Sequence, residues 1–271
     1  MFKKEFSVIC AAIILYYMAV LAIFLGFISG ELVNYLADAL PYRRRITNPF
    51  CPVCGSEFKW RNYFIWPRRC LICGTRRLWR TWIVDIIAII STVWLWLSPP
   101  NNLNFLVGFI ILIYFGLVTI IDLEHRLILH PVSIAGAILG LIIGIWSHGP
   151  LPTIIGGGAG FGIMFILYLF GNLFVKFISR RQGRKIEEDA LGFGDVNLTG
   201  VLGLILGWPG ILVGLVFAIL IGGFISLIYI IGMLITRRFQ YFQAIPYGPF
   251  LITGATIILF FRDALIAYFG M

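Results

Sequence analysis

The sequence predicts an all-α polytopic membrane protein, with about eight transmembrane helices and a cytoplasmic zinc-ribbon-like loop. Three observations carry this. The chain is 60% hydrophobic and only 12% charged, with mean hydropathy +0.97, a balance no soluble domain of 271 residues shows. Its apolar runs are continuous rather than alternating, which excludes barrel strands and leaves helices as the way to satisfy backbone groups in lipid. Finally, its basic residues and four of its five cysteines gather in segments between those runs.

Each run is close to the roughly 20 residues a bilayer requires, and the spans fall at about 7–29, 82–98, 103–121, 131–147, 153–178, 193–207, 209–235 and 248–269. The first is too long for a removable signal peptide and lacks a cleavage site, so it is expected to be retained as an anchor. Cys10 within it reads as a small buried hydrophobe. The sixth is short and glycine-rich, and is expected to be tilted or partly re-entrant. Three regions follow: 1–30 as the first helix, 31–81 as the cysteine loop, and 82–271 as the remaining membrane domain.

Charge placement sets the topology. Net charge is +9. The segment 41–80 is crowded with Arg and Lys against a single acid, Glu57. By the positive-inside rule it is cytoplasmic. The span count then puts 122–130, 176–191 and 236–247 on the same side, with most of the chain's 21 basic residues. Lys3, Lys4 and Arg262 fall outside. Topology accounts for the basic loop more simply than nucleic-acid binding does, so no nucleic-acid partner is expected.

Cys51-Pro-Val-Cys54 and Cys70-Leu-Ile-Cys73 are each followed by a glycine, Gly55 and Gly74. Two such knuckles at this separation match a zinc ribbon, with four thiolates around a tetrahedral ion. All four positions are filled by protein, so the expected role of zinc is structural. Disulfides are the rival reading, disfavoured in a reducing compartment.

Two acids stand at the edges of hydrophobic spans, in Thr119-Ile-Ile-Asp122-Leu-Glu-His and Gly192-Phe-Gly-Asp195-Val-Asn. An acid near hydrocarbon costs several kcal/mol and is rarely there without a task. The span count puts both at the cytoplasmic face, where a pair could share a proton and activate water as aspartic proteases do. Taken singly, Asp122 could be a solvated boundary residue and Asp195 a helix-start acid favoured by the dipole. Gly192 and Gly194 let backbone turn or approach another segment. Pro246, Gly248 and Pro249 make a kinked, backbone-rich entry to the last span, which reads as a turn or as a strip for an extended substrate. Glu187-Glu188-Asp189 could attract a basic peptide, or form a solvated loop. A proton-coupled transporter also uses membrane acids, but places them near the midplane between repeats.

Taken together, these residues resemble the bacterial prepilin peptidases, or type IV leader peptidases, intramembrane aspartic proteases of the GxGD kind. Gly30-Glu-Leu-Val-Asn34 before Leu40-Pro41 is similar to the family's G-S-F-L-N…L-P. The double C-x-x-C loop is similar to its zinc loop. Asp122 and Gly192-Phe-Gly194-Asp195 match the two catalytic aspartates, and Pro246-Tyr-Gly248-Pro249-Phe matches P-[FY]-G-P-F. The resemblance implies cleavage of basic leaders from prepilins or pseudopilins at the cytoplasmic face of the inner membrane. It also implies N-methylation of the new N-terminus from S-adenosylmethionine, with Glu31, Asn34 and Asp85 nearest the methyl-transfer site; a peptidase without methylase activity is the narrower alternative. Four positions depart from the pattern: Glu31 for Ser, Asp85 for Glu in R-Y-P-x-V-E, Leu129-His130-Pro131 for L-P-D, and Asn197 for Lys.

Overall fold

A computed structural model describes residues 2–43, 47–51, 53–64, 68–77, 79–101, 103–182, 192–236, 246–262 and 267. They form α1 (Phe2–Arg43), α2 (Trp60–Phe64), α3 (Trp79–Leu97), α4 (Phe105–His125), α5 (His130–His148), α6 (Pro150–Gln182), α7 (Phe193–Leu206), α8 (Gly210–Ile235) and α9 (Gly248–Phe260). Among the described residues, six helices are long and apolar enough to cross a membrane, and α7 and α9 are shorter apolar helices. The fold class is therefore the expected one. The sixth span is as short as its composition predicted, at 14 residues.

The boundaries differ in two informative places. α1 does not stop near residue 29 but continues to Arg43, through Pro41. Glu31 and Asn34 thus lie in a helix rather than a loop, and Asn34 meets Asp85 of α3. α4 runs one turn past its expected end, so Asp122 lies inside a helix. That helix closes at Arg126, which has φ 50° and donates its N–H to the Asp122 carbonyl at 2.8 Å. Polar residues at a span's end lower its hydropathy without ending its helix, and so the apolar run understates the element.

The chain divides into two compact units, residues 1–117 and 118–271, with the boundary inside α4. In the first, α1 packs along α3 with almost no space between backbones. A Cβ at Gly26 would lie 2.6 Å from the Ile89 Cα, and one at Gly30 2.7 Å from Asp85 Oδ1. The cysteine segment docks on the end of α1 through Tyr35, Ala39, Phe58 and Tyr63, all buried. Tyr35 meets the ring of Trp60 at 5.1 Å, and Phe58 meets Tyr63 edge-on at 5.8 Å.

In the second unit α7 is wrapped by α5, α6 and α9. A Cβ at Gly156 of α6 would stand 2.5 Å from the Gly203 carbonyl oxygen and 2.8 Å from the Gly207 Cα. The Trp208 N–H donates to the Pro152 carbonyl at 2.9 Å, and His148 Nε2 lies 3.2 Å from the Ile205 carbonyl. In lipid, where neighbouring helices gain no hydrophobic advantage from contact, small residues that admit close backbone approach hold them together. Gly158, two residues on, has open space where a side chain would go. Gly156→Leu should therefore lower thermal stability in detergent by about 1–3 kcal/mol or more through overpacking. Gly158→Ala should leave the melting curve unchanged. Equal behaviour of the two variants would remove the α6–α7 contact as a stability determinant.

Candidate active site and metal centre

The second unit brings Asp122, Asp195 and Gly248 together from three helix ends. Asp122 sits in the last turn of α4 and Asp195 in the first turn of α7, and both are buried. Their carboxyl groups are near enough to feel each other's charge. The Gly248 N–H, at the start of α9, donates to Asp122 Oδ2 at 3.0 Å. Tyr247, next to it, is close enough to Asp195 to sense that carboxylate. Burial first, and the Asp195 charge second, raise its phenol above the ordinary value. The dipeptide Tyr247-Gly248 thus borders both acids.

The glycines here are steric requirements. A Cβ at Gly248 would fall 2.5 Å from Asp122 Oδ2, and one at Gly194 2.8 Å from the Ile128 Cβ. Gly194 lets α7 begin directly against the segment that follows α4, and this closes the distance between the two acids. Gly192 caps α7 with φ −72°, a conformation any residue adopts, and its carbonyl accepts the Asp195 N–H at 3.0 Å. Pro249 occupies the first turn of α9, where its missing N–H costs nothing. Glu187-Glu188-Asp189 lies outside the described residues.

The four cysteines of the first unit form a second constellation. Their Sγ atoms all lie within 4.8 Å of one another, with Cys51–Cys73 and Cys54–Cys70 at 3.5 Å, and none is in a disulfide. A tetrahedral ion with thiolates at about 2.3 Å would set sulfurs about 3.8 Å apart, so this cage fits one ion. The knuckles repeat one construction. Cys51 and Cys70 donate N–H to the Ser56 and Thr75 carbonyls, at 2.8 and 2.9 Å. Gly55 and Gly74 turn the chain at φ 68° and 71°, where only glycine is unstrained. The Cys73 N–H and the Ser56 hydroxyl lower the Cys70 thiol to about 6, while burial pushes Cys51 up to about 11. A metal ion would take all four as thiolates.

Beside the knuckles lies a buried charge cluster. Glu31 forms an ion pair with Arg68, Oε1 to Nη2 at 2.7 Å, and its Oε2 accepts a hydrogen bond from Arg77 Nη1 at 2.9 Å. Arg68 also reaches Asp85 Oδ2 at 3.7 Å, and Asn34 donates to Asp85 Oδ1 at 3.0 Å. Tyr63, held protonated by burial above all, donates to Asp38 Oδ2 at 2.5 Å, and Arg80 pairs with the same carboxylate. Among the described residues Asn34 Oδ1, Asp85 Oδ2 and Arg77 Nε and Nη2 are buried without a hydrogen-bond partner. The structure therefore brings Glu31, Asn34 and Asp85 together, and adds Asp38, Tyr63, Arg68, Arg77 and Arg80. Sequence reasoning assigned those arginines to topology. The available signal was their position, since Arg68 and Arg77 flank the second knuckle and their backbones pair at 3.3 Å.

Residues 106–231 match the type IV leader peptidase family. That stretch contains both aspartates. The chain is also 24% identical over 242 residues to the prepilin leader peptidase/N-methyltransferase of Aeromonas hydrophila, covering 86% of this chain and 78% of that protein. The proteins of that name from Legionella pneumophila and Pseudomonas aeruginosa are 28% and 26% identical, over 81% and 82% of this chain and 74% of each of theirs. By these matches the chain resembles the type IV leader peptidases. No solved structure matches it. The family is one of multi-pass membrane enzymes, and the apolar helices agree with that.

The cage predicts one metal ion per chain. Protein purified without chelator should carry one equivalent of zinc by elemental analysis, and Cys54→Ser should lose it. Absence of metal, or a disulfide joining the knuckles in native protein, would contradict the assignment.

Proposed function

We propose that the chain removes the basic leader from a prepilin or pseudopilin at the cytoplasmic face of the bacterial inner membrane, with Asp122 and Asp195 as the catalytic pair. The observation that carries this is the convergence of the two buried carboxyl groups, bordered by the Gly248 N–H. Like charges in a poorly solvated site cannot both ionise readily, so the pair holds one proton and titrates as a unit. The ionised member takes a proton from a water as that water attacks the scissile carbonyl carbon. The protonated member gives its proton to the carbonyl oxygen. Collapse of the tetrahedral intermediate breaks the C–N bond: the leaving amine takes the proton gained from water, and the gem-diol returns a proton to the other carboxylate, restoring the pair. The Gly248 N–H fixes the Asp122 carboxylate in place during these steps. The half-buried, backbone-rich entry at Pro246-Tyr247 is suited to an extended substrate segment.

The cysteine cage in this reading is a structural zinc site. Glu31, Asn34 and Asp85 form the methyl-transfer site. S-adenosylmethionine would supply the electrophilic methyl group. The unpartnered buried atoms around Asn34, Asp85 and Arg77 fit a polar ligand carrying both amine and carboxylate. Asn34 and the two carboxylates would hold the new N-terminal amine and accept its proton, while Arg77 would face a carboxylate. The pairing of Glu31 with Asp85 through Arg68 makes the two departures from the family pattern parts of one charge cluster.

Asp122→Asn and Asp195→Asn should each lower cleavage of a purified prepilin by at least about 10²–10⁴-fold, the worth of general acid–base catalysis, while insertion is unchanged. Gly248→Ala should lose comparable activity because its methyl meets the Asp122 carboxylate. A wild-type rate from either Asn variant would exclude the pair. Intact-mass analysis with S-adenosylmethionine should show cleaved product heavier by one methyl, and Asp85→Asn should give cleaved, unmethylated product. Unmethylated product from the unaltered chain at saturating cofactor would reduce it to a peptidase alone.

A further inference from the structure

α7 has a second face, opposite the acids. Phe193, Asn197, Gly200, Val201 and Leu204 recur at helical spacing on one side, and Asp195, two residues from Phe193 and from Asn197, points the other way. Along that opposite side, the seam between α5, α6 and α7 holds a cavity of about 410 Å³, with Ser133, Ala137, Gly157 and Phe161 on its other walls. We propose that this seam is a phospholipid site, taking one acyl chain along its length and the glycerol-phosphate end at Ser133 and Asn197.

The lining is graded in polarity. His130 and Ser133 lie in the first turn of α5, and Asn197 in the second turn of α7. Those two helix starts lie side by side, because Gly194 abuts Ile128 just before α5. All three polar groups are therefore at one end. The rest of the wall is apolar or glycine, running along α6 and α7 toward Gly157 and Leu204.

Ser133 is the second, independent observation. It is buried, at 9% exposure, it lines the cavity, and its Oγ has no hydrogen-bond partner among the described residues. A lone hydroxyl in hydrocarbon costs free energy until something accepts its proton. A lipid ester or phosphate oxygen would do so, with the Asn197 amide as a second donor.

The occupant follows from access and size. Ile134, Phe161 and Phe193 at the rim are exposed, and on transmembrane helices exposed apolar side chains face the bilayer. The seam thus opens sideways onto hydrocarbon, where acyl chains are the most abundant species. Its volume lies within the range of small-molecule sites. A substrate helix, about 10 Å across, would displace several times that volume over the same length. A segment seated here would also have α7 between it and both acids.

The test is photolabelling of the full chain in nanodiscs of bacterial lipid, doped with a phospholipid carrying a mid-chain diazirine and read by peptide mass spectrometry. Labelling of Ala137 and Phe161 should exceed that of Leu220 and Phe224, exposed residues of α8, by about tenfold, corresponding to about 1.4 kcal/mol of preference. Ala137→Phe should fill the seam and abolish that excess while leader cleavage stays at the wild-type rate. Ser133→Ala, which changes no packing volume, should lower the excess severalfold, as expected for one lost hydrogen bond. Equal labelling of α5, α6 and α8 would overturn the proposal, leaving only ordinary annular lipid. So would capture of Ala137 and Phe161 by a prepilin with a photoreactive group in its apolar helix, which would make the seam a substrate track.

Discussion

Backbone contact between α6 and α7 at Gly156 and Gly203 is the constraint on which the second unit depends. α7 is only 14 residues long, and its sequence has no strongly polar face. In lipid its apolar side chains gain little by choosing protein over hydrocarbon. What places it is shape: glycines on α6 and α7 let the backbones meet, and Gly140 and Gly144 of α5 accept Leu204 and its carbonyl. Once α7 is seated, its first turn is set beside Ile128. Asp195 then arrives next to Asp122 with no further adjustment. The Gly248 amide completes the arrangement because α9 packs on α8 through the same device at Gly214 and Gly254.

The first unit is built on different physics. Its cysteine segment has a small aromatic core and borrows the end of α1 for part of it. A metal ion held by the four cysteines would add the order that so short a segment cannot obtain from burial alone. The knuckle then fixes Arg68 and Arg77, which carry their charge to Glu31 and Asp85 on the facing sides of α1 and α3. Burying these ions is expensive, and removing one partner of such a network costs more than the pair itself contributes. A cluster of that kind is weak evidence for stability. Several of its buried atoms, Asn34 Oδ1 and Arg77 Nε among them, have no hydrogen-bond partner among the described residues. The Arg68 guanidinium stands 5.8 Å from the Phe27 ring centroid and 5.0 Å from that of Trp82, contacts that help hold it without using its donors.

The two faces of α7 show how one short helix serves unlike purposes. The face carrying Asp195 is buried and meets α9. The face carrying Asn197 is open to the bilayer, and Gly200 keeps it hollow where a larger residue would meet Phe161. The departure from the family's lysine at position 197 falls on this open face. A cation facing hydrocarbon would be costly there, and an amide is the milder choice.

Sequence alone determined the class of this protein, because hydropathy, cysteine spacing and the placement of positive charge are properties that survive without coordinates. It named Asp122 and Asp195 from local setting and the cysteine cage from spacing. It determined neither the length of α1 nor the partners of Glu31 and Asp85, since a helix that leaves the apolar run carries no hydropathy signal. Only the tertiary structure decided that Gly194 and Gly248 are demanded by contact rather than by turning, that Arg68 and Arg77 serve the carboxylates, and that α7 has a hollow second face. Each of these depends on which backbones approach within a side chain's width. In a chain so uniformly apolar, that approach is governed by complementary shape over many residues, which no single segment of sequence records.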